Sequence, residues 1–393
     1  MTKKDAMQNL LTRNIDTVIE KPRLEHALES GKKLRIKHGI DPTGDKIHIG
    51  RAIVLWKLKE FQDLGHKIVL IIGDFTAQIG DPSDKLEKRP FLTKEQIKKN
   101  LKNYLPQIGK ILDLKKVEVR YNSEWLGKLN FQEISQLAEN FTFQQILERK
   151  NFKDRLEKHQ EISLREALYP LMQGYDSVAI KADVELGGTD QLFNMLAGRK
   201  IQERYGQKPQ NVITTKMLLG TDGRKMSTSW GNVINIMDAP NDMFGKVMAS
   251  DDSAILEYFT LATALTETEI KKYEAELKKG KNPKDIKELL ALEVVKRYHG
   301  KAKAKKAAEE FANIFRKKEL PAKIPSLQLS TYNLQLTDLL VKAGVPSKSE
   351  SRRLIEQGGV RINEKILQDP FAKLSLKSGD ILQIGKRKFF RIK

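Results

Sequence analysis

The sequence has 393 residues, of which 71 are Lys or Arg and 51 are Asp or Glu, giving a formal net charge of +20. This length predicts two or three domains, and 39% hydrophobic with 31% charged residues predicts a folded rather than a disordered chain. Cysteine is absent, which excludes disulfides, thiolate nucleophiles and cysteine-based metal sites and fits a reducing cytoplasm.

The positive charge predicts a polyanionic partner. Lys and Arg attract nucleic acid through Coulomb steering and counterion release, although a surface that only confers solubility is the alternative. Apolar stretches of the first half, such as 68–72, are far shorter than a bilayer span, and the N-terminus begins with Lys3, Lys4 and Asp5 rather than a signal peptide. We therefore expect a cytoplasmic protein that does not enter a membrane.

The first predicted elements form a βαβ unit. Residues 34–40 have the pattern of a strand, 49–64 that of a helix and 67–72 that of a second strand. Parallel strands with a right-handed crossover predict a Rossmann-like, doubly wound sheet, whose ligands bind beyond the carboxyl ends of the strands. The loops 38–44 and 73–83 follow these strands and are rich in Gly, Asp, Pro and Thr, so they are candidate binding loops, although both could be simple turns.

Three domains are expected along the chain. Residues 1–240 would form the parallel α/β domain, with a mostly helical and aromatic insertion at about 123–163. Residues 241–325 would form an α-helical domain, because Ala, Leu and Lys recur there with helical periodicity. Residues 332–393 would form a small α+β domain. Further predicted elements are a strand at 117–121, a helix at 164–172, extended segments near 177–186 and a helix at 189–205.

The segment 41–51 places His48 and Gly50 at the start of a helix that follows a strand. Backbone N–H groups and the positive end of a helix favour a phosphate group there. Gly50 would let a nucleotide approach the backbone closely, and His48 can donate to a developing phosphoryl charge. A histidine that only caps the helix is the alternative.

A second segment, 225–229, has the sequence Lys-Met-Ser-Thr-Ser and follows a Gly-containing turn. A Lys beside hydroxyl groups on a mobile loop can follow a polyphosphate as its charge redistributes, whereas an exposed basic turn is the alternative. Together with His48-Ile49-Gly50-Arg51, this segment resembles the paired signature motifs of class I aminoacyl-tRNA synthetases. The resemblance implies catalytic roles for His48, Arg51, Lys225 and Thr228. It implies ATP or adenylate binding by Asp41, Thr43, His48, Gly50, Gly188, Asp190, Gln191, Lys225, Met226, Ser227, Thr228 and Ser229.

Residues 169–176 resemble the tyrosine-binding helix of tyrosyl-tRNA synthetases. The resemblance implies that Tyr169 and Gln173, one helical turn apart, hold the substrate ammonium together with Asp81. It also implies that Asp176 accepts a hydrogen bond from the phenol hydroxyl. Phenylalanine would leave that buried carboxylate unpaired, and tyrosyl-tRNA synthetases are the standard example of such discrimination.

The tail resembles the S4 RNA-binding domain. Residues 342–393 contain 13 Lys and Arg against 5 Asp and Glu, and such density suits contact with RNA phosphates. A solvated basic surface is the alternative. The resemblance implies tRNA contacts by Arg352, Arg353, Arg361, Lys386, Arg387 and Lys388.

Three residues depart from the usual pattern of the family. Arg51 replaces the second histidine of the first motif but keeps a cation and donor there. Thr228 replaces a second lysine, which leaves Lys225 as the ammonium of the loop. Lys37 stands where many relatives carry a tyrosine near the substrate hydroxyl, so that contact cannot be transferred.

The resemblance extends over nearly the whole chain and is closest to the bacterial tyrosyl-tRNA synthetases. It implies ATP-dependent activation of L-tyrosine to tyrosyl-adenylate and transfer of tyrosine to the 3′ end of tRNA(Tyr). It further implies Mg²⁺ accompanying ATP, no protein-bound metal, and a homodimer formed through the insertion.

Three other interpretations stay open from the sequence. A tryptophanyl enzyme is disfavoured by Asp176 and by the S4-like tail. An RNA-binding protein on a catalytically silent synthetase scaffold would explain Arg51 and Thr228. A general nucleotidyltransferase would not need Tyr169, Gln173 and Asp176 arranged around an amino acid.

Overall fold

The computed structural model describes residues 3–82, 92–316, 324–385 and 388–393. The chain forms two compact units. The first contains Met1–Asp238 and Ser250–Lys281, and the second contains Ala239–Ala249 and Asn282–Lys393. The three functional domains expected from the sequence stay a prediction.

A six-stranded sheet forms the centre of the first unit. Its strands, in chain order, are β1 (Ile15–Ile19), β2 (Arg35–Ile40), β3 (Lys67–Ile72), β4 (Val117–Tyr121), β5 (Val184–Gly188) and β6 (Asn211–Thr215). Across the sheet they lie in the order β1-β6-β5-β2-β3-β4. Strands β2 to β6 pair in parallel, and β1 pairs antiparallel with β6 at the edge. The first unit is therefore an α/β structure built on a mainly parallel sheet.

Helices cover this sheet, and strand β3 is apolar on both of its faces. All residues of β3 except the first are buried, as expected for a parallel strand packed on both sides. The helices up to β6 are α1 (Lys3–Thr12), α2 (Lys21–Glu29), α3 (Ile49–Asp63), α4 (Thr76–Ile79), α5 (Lys94–Ile108), α6 (Ser123–Leu126), α7 (Phe131–Ala138), α8 (Phe143–Leu147), α9 (Lys150–Glu157), α10 (Leu164–Ala167), α11 (Tyr169–Ala179) and α12 (Leu192–Arg204).

Several elements begin and end where the sequence predicts, and others do not. Strands β3 and β4 have the predicted bounds, and α3 ends one residue before the prediction. The single helix predicted at 164–172 is wrong: it is two helices, because Leu168 ends α10 and Pro170 lies in the first turn of α11. The extended segment predicted near 177–186 is wrong at its start, where residues 177–179 still belong to α11.

The chain leaves the first unit for α13 (Pro240–Met248) and returns to it with α14 (Ile255–Ala262) and α15 (Glu267–Lys278). The second unit then continues with α16 (Pro283–His299) and α17 (Lys301–Arg316), which pack against each other and against α13. Asn282 caps α16, and Pro283 occupies its first turn, which fits a helix start.

Short strands and two helices form the rest of the second unit. These elements are β7 (Ser326–Leu327), β8 (Asn333–Gln335), α18 (Leu336–Lys342), α19 (Lys348–Glu356), β9 (Val360–Ile362), β10 (Lys365–Ile366), β11 (Lys373–Ser375), β12 (Ile381–Ile384) and β13 (Lys388–Ile392). Five strands form a sheet in the order β10-β9-β12-β13-β7, and β11 pairs with β8. Leu336, Leu340, Ile355 and Leu382 are fully buried between these elements. No helix within the described residues is long and apolar enough to cross a membrane.

Candidate active site

A cleft of about 850 Å³ opens in the first unit where β2, β3, β5 and β6 end. Parallel strands that end at one edge bring their loops together, so this is the position expected for a ligand. The predicted tyrosine and ATP residues that line it are Asp41, Thr43, His48, Gly50, Arg51, Asp81, Tyr169, Gln173, Asp176, Gly188, Asp190, Gln191, Lys225, Met226, Ser227 and Thr228. Ser229 follows in the 3₁₀ turn Thr228–Trp230, and its side chain lies outside the described part.

Asp176, on α11, lines the cleft and is 3% exposed. Its Oδ1 accepts a hydrogen bond from Trp125 Nε1 at 2.7 Å, and its Oδ2 accepts one from Asn122 Nδ2 at 3.4 Å. Burial raises the pKa of Asp176 to about 7, against the lowering effects of Lys37 and of these two donors. The carboxyl group is thus held in place and can accept a hydroxyl donor.

Two other carboxylates, Asp41 and Asp81, are held by side chains that the sequence also singled out. Tyr169 Oη donates to Asp41 Oδ2 at 2.8 Å, and Gln191 Nε2 donates to Asp81 Oδ2 at 2.7 Å. Burial, then Asp41 and Asp81, raises the pKa of Tyr169, so this phenol stays protonated and remains a donor. Two negative groups near one neutral phenol suit a cationic ligand group such as an ammonium.

Lys37 is completely buried behind the cleft and does not take the place of a substrate-binding tyrosine. Its ammonium donates to the carbonyl oxygen of Gln173 and to Ser177 Oγ, both at 2.7 Å, and forms an ion pair with Glu185 Oε1 at 2.8 Å. These three partners match the three N–H groups of an ammonium. The sequence alone did not indicate this pairing.

His48 also lines the cleft and caps α3. Burial, then the charges of Arg51 and Lys225, lowers the pKa of His48 to about 3, so the ring is neutral near pH 7. Its Nδ1 accepts a hydrogen bond from the backbone N–H of Arg51 at 3.3 Å. A neutral ring that accepts at Nδ1 carries its proton on Nε2, which makes Nε2 a donor.

Gly50 brings the two motifs into contact. A Cβ atom at Gly50 would lie 3.1 Å from His48 Nδ1 and 3.4 Å from the sulfur of Met226. Glycine therefore lets the start of α3 pack directly against Met226. Lys225, the residue before it, forms an ion pair with Asp190 Oδ2 at 3.3 Å.

Arg51 is exposed at the start of α3, but its guanidinium is held by a neighbouring helix. Its Nη1 donates to the hydroxyl of Tyr104 on α5 at 2.9 Å. Tyr104 is 1% exposed and also lines the cleft. A buried, rigid phenol thus fixes the direction of an exposed cation.

Asn232 organises the loop that carries Lys225. Its Oδ1 accepts from the backbone N–H of Ser227 at 2.8 Å, and its Nδ2 donates to Asp222 Oδ1 at 2.7 Å and to the carbonyl of Lys225 at 3.1 Å. The hydrogen bond from Asn232, with further ones from Arg224, lowers the pKa of Asp222 to about 2. Thr228, in the same loop, is exposed.

The predicted RNA-binding residues belong to the second unit. Arg352 and Arg353 lie on α19, Arg361 on β9 and Lys388 on β13, and all four are exposed. The guanidinium of Arg352 lies 5.2 Å from the ring centre of Phe371. Lys386 and Arg387 lie outside the described residues.

Several residues that shape the cleft were missed by sequence reasoning. Asn122 and Trp125 follow β4 directly, and the rule that ligands bind beyond parallel strands could have drawn attention to them. Thr76 donates to Asp41 Oδ1 at 2.7 Å. It lies in the segment 73–83, which the sequence indicated as a candidate binding loop, and it is the first residue of α4. Tyr104 and Glu185 carry no local signal, because their roles depend on tertiary contacts. Within the described part of the chain, no group of three or more His, Asp and Glu side chains is arranged to hold a metal ion.

Comparison with known proteins agrees with this geometry. Residues 29–316 match the class I tRNA synthetases of the W and Y group, and residues 317–392 match the SYY-like C-terminal domain of tyrosine–tRNA ligases. The tyrosine–tRNA ligase of Thermotoga maritima is 47% identical over 395 residues, which cover 100% of this chain and 98% of that protein. This chain belongs to the tyrosine–tRNA ligase family. The tyrosine–tRNA ligase of Haemophilus influenzae is 44% identical, and its alignment also covers 100% of this chain and 98% of that protein.

Solved structures of tyrosyl-tRNA synthetases share the fold. The enzyme of Archaeoglobus fulgidus, complexed with L-tyrosine, superposes with a TM-score of 0.62 at 22% identity, covering 78% of this chain and 99% of its own. The C-terminally truncated mitochondrial enzyme of Aspergillus nidulans superposes with a TM-score of 0.63 at 22% identity. The alignment covers 80% of this chain and 99% of that enzyme. This likeness shows the α/β architecture with its parallel sheet.

Proposed function

We propose that this protein is a tyrosine–tRNA ligase that activates L-tyrosine with ATP and transfers it to tRNA(Tyr). The observation that carries the proposal is one cleft lined by two chemically different sets of side chains. The first set has a buried carboxylate, Asp176, suited to a phenol hydroxyl, with Asp41 and Asp81 suited to an ammonium. The second set has neutral His48 with the cations Arg51 and Lys225, which suit a polyphosphate.

The proposed reaction needs positioning and charge stabilisation but no covalent intermediate with the enzyme. The tyrosine carboxylate attacks the α-phosphate of ATP, so that a C–O–P linkage forms, the bond to the β-phosphate breaks and pyrophosphate leaves. His48 Nε2 and the cations Lys225 and Arg51 would stabilise the developing phosphate charge, with Mg²⁺ entering together with ATP. A terminal ribose hydroxyl of the tRNA then attacks the carbonyl of the adenylate, so that an ester forms, the bond from the carbonyl carbon to the phosphate oxygen breaks, and AMP leaves.

Binding of tRNA is assigned to the second unit as part of the same proposal. The proposed architecture is a Rossmann catalytic domain at 1–240, a helical domain at 241–325 on the anticodon side and an S4-like domain at 332–393. The exposed cations Arg352, Arg353, Arg361 and Lys388 support RNA contact. A cytoplasmic location belongs to this proposal as well.

A homodimer formed through the predicted insertion completes the proposal. Phe131 is 85% exposed, Phe143 is 56% exposed and Leu164 is 64% exposed. Phe131 and Phe143 belong to the predicted insertion and Leu164 directly follows it, and exposed large apolar side chains support a protein interface. The substitution Phe131→Asp should shift the protein from dimer to monomer in sedimentation experiments, and a dimer of undiminished stability would remove Phe131 from the interface.

Tyrosine-dependent exchange of pyrophosphate into ATP tests the proposed activity. Tyrosine should support exchange, and phenylalanine and tryptophan should not exceed background. Exchange with another amino acid in place of tyrosine would refute the substrate assignment.

The variant Lys225→Ala separates an active synthetase from a silent RNA-binding scaffold. An active enzyme should lose adenylate formation while its affinity for tRNA is kept. A wild-type protein that binds tRNA but shows no exchange at all would favour the silent scaffold.

A further inference from the structure

We propose that the buried Lys37–Glu185 ion pair is a positioning device that orients the side-chain amide of Gln173, with its oxygen facing the ligand. The pair would thereby make the cleft selective for a ligand that carries an ammonium group. This inference rests on the proposed tyrosine site and adds two buried residues that act through Gln173.

The pair lies immediately behind the side chain that it would orient. Lys37 is 0% and Glu185 is 1% exposed, and Glu185 lines the cleft together with Gln173. Glu185 Oε1 accepts both from the Lys37 ammonium at 2.8 Å and from Gln173 Nε2 at 3.1 Å. Its Oε2 accepts from Ser177 Oγ at 3.3 Å and from Gln210 Nε2 at 2.5 Å. Both carboxylate oxygens are therefore engaged.

The orientation of the Gln173 amide follows from the chemistry of its neighbour. An ionised carboxylate can only accept hydrogen bonds, so the NH₂ group of Gln173 must face Glu185 and the oxygen must face away. That oxygen accepts from Asn194 Nδ2 at 2.9 Å. A carbonyl oxygen has two lone pairs, so Gln173 Oε1 can accept one further hydrogen bond, and an ammonium is the strongest donor for it.

Lys37 is needed because Glu185 alone would be a buried, uncompensated charge. An isolated charge is costly to bury, and an opposite charge at hydrogen-bond distance offsets that cost. Lys37 supplies the opposite charge and also donates to the backbone carbonyl of Gln173 at 2.7 Å. The pair thus fixes both the backbone and the side chain of the same residue.

Two ligands that share the phenol ring isolate this effect. Tyramine keeps the ammonium of tyrosine and lacks its carboxylate, whereas 3-(4-hydroxyphenyl)propionate keeps the carboxylate and lacks the ammonium. Both still offer a hydroxyl to Asp176. Calorimetric affinities of the full-length protein for each ligand therefore separate recognition of the ammonium from a general change of the pocket.

The test variant is the double substitution Lys37→Met/Glu185→Gln. It removes both charges together, so no single buried charge is left behind, and the new amide can face Gln173 with either its donor or its acceptor end. The Gln173 amide can then turn its NH₂ group toward the cleft, where it would repel an ammonium. Any effect of the lost charges on Asp176 is common to both ligands, so we expect the affinity for tyramine to fall about tenfold more than the affinity for the propionate.

Glu185→Gln alone is the second variant, in case the double variant does not fold. Its amide oxygen can still accept from Lys37, and the same selective loss of tyramine affinity is expected.

The matched control is Lys57→Met/Glu60→Gln, which makes the same chemical change at another ion pair of the first unit. In that pair the lysine is buried and the N–O distance is 2.6 Å. The control should leave the ratio of the two affinities unchanged.

The outcomes distinguish the inference from the proposed function. Selective loss of tyramine affinity supports the inference. Equal weakening of both ligands would show that the pair only supports the pocket, and no weakening of either would show that the pair does not orient Gln173. A wild-type protein that binds neither ligand would overturn the proposed tyrosine site itself.

Discussion

At the scale of single residues, burial determines which protonation states the cleft presents. Asp176 and His48 are both buried, and burial favours the neutral form of each. The pKa of Asp176 rises to about 7, and that of His48 falls to about 3. At neutral pH the carboxyl group is therefore close to its titration midpoint, whereas the imidazole is fully neutral.

The raised pKa of Asp176 predicts a pH dependence of tyrosine binding. A phenol hydroxyl donates well only to the ionised carboxylate, so tyrosine affinity should fall as the pH is lowered through about 7. Titration of tyrosine at a series of pH values should show this step in the wild type and not in Asp176→Asn. A step that persists in Asp176→Asn would assign the titration to another group.

The same group should affect stability in the opposite sense. The folded state keeps the Asp176 proton up to about pH 7, while the unfolded state loses it near the model-compound value of 3.8. Because the folded state binds more protons between these values, the contribution to the free energy of unfolding falls as the pH rises through this window. This contribution is measured by urea unfolding of the wild type and of Asp176→Asn at a series of pH values in this range. If the free energy of unfolding of the wild type rises with pH relative to that of Asp176→Asn, the assignment is wrong.

Tyr104 should act on catalysis through Arg51. The substitution Tyr104→Phe removes the acceptor at 2.9 Å and should lower kcat/KM for ATP about tenfold, because a hydrogen bond to a charged group contributes about 1.5 kcal/mol. In an Arg51→Ala background the same substitution should have almost no effect. Pyrophosphate exchange on the four proteins of this cycle measures the coupling, and additive effects would show that Tyr104 acts independently of Arg51.

At the scale of elements, the sequence predicts helices and strands from patterns within one segment, but it does not predict which distant segments pair with each other. Strand β3 and helix α3 follow from an apolar run and from helical periodicity. The cleft at the strand ends follows from the topology of a parallel sheet. The edge strand β1 and the Lys37–Glu185 pair depend on packing partners distant in sequence, which no local pattern records. The break between α10 and α11 differs, because Pro170 is a local signal for a helix start that could have been read from the sequence.

Asn232 is expected to control the loop that carries Lys225. The substitution Asn232→Ala removes three hydrogen bonds within the loop, to the backbone of Ser227 and Lys225 and to the side chain of Asp222, so the loop should lose its fixed conformation. We expect a lower kcat for adenylate formation, an unchanged KM for tyrosine and faster proteolysis near Arg224. The control Asn241→Ala removes an exposed bond to Glu310 in the second unit and should change none of these. Unchanged proteolysis in Asn232→Ala would refute this role.

At the scale of the whole molecule, the net charge of +20 predicts that RNA binding depends strongly on salt. The substitutions Arg352→Ala and Arg361→Ala together should weaken tRNA binding and reduce the slope of log affinity against log salt by about one for each lost phosphate contact. Filter binding at several salt concentrations measures the slope. Lys271→Ala/Lys272→Ala, the same charge change on α15, should have a smaller effect, and equal effects would indicate that only net charge matters.

The return of the chain to the first unit after α13 has a consequence for how the protein is made. Helix α14 contributes the buried side chains of Tyr258 and Phe259, and the Tyr258 hydroxyl donates to the carbonyl of Leu219 at 2.8 Å, just before the Lys225 loop. Arg13, near the start of the chain, donates to the carbonyl of Thr263 at 3.0 Å. During synthesis these partners of Arg13 and Leu219 leave the ribosome only after α13 has emerged. A nascent chain that ends near residue 240 therefore already contains every side chain assigned to the two substrates, yet it lacks part of the core on which their loops rest.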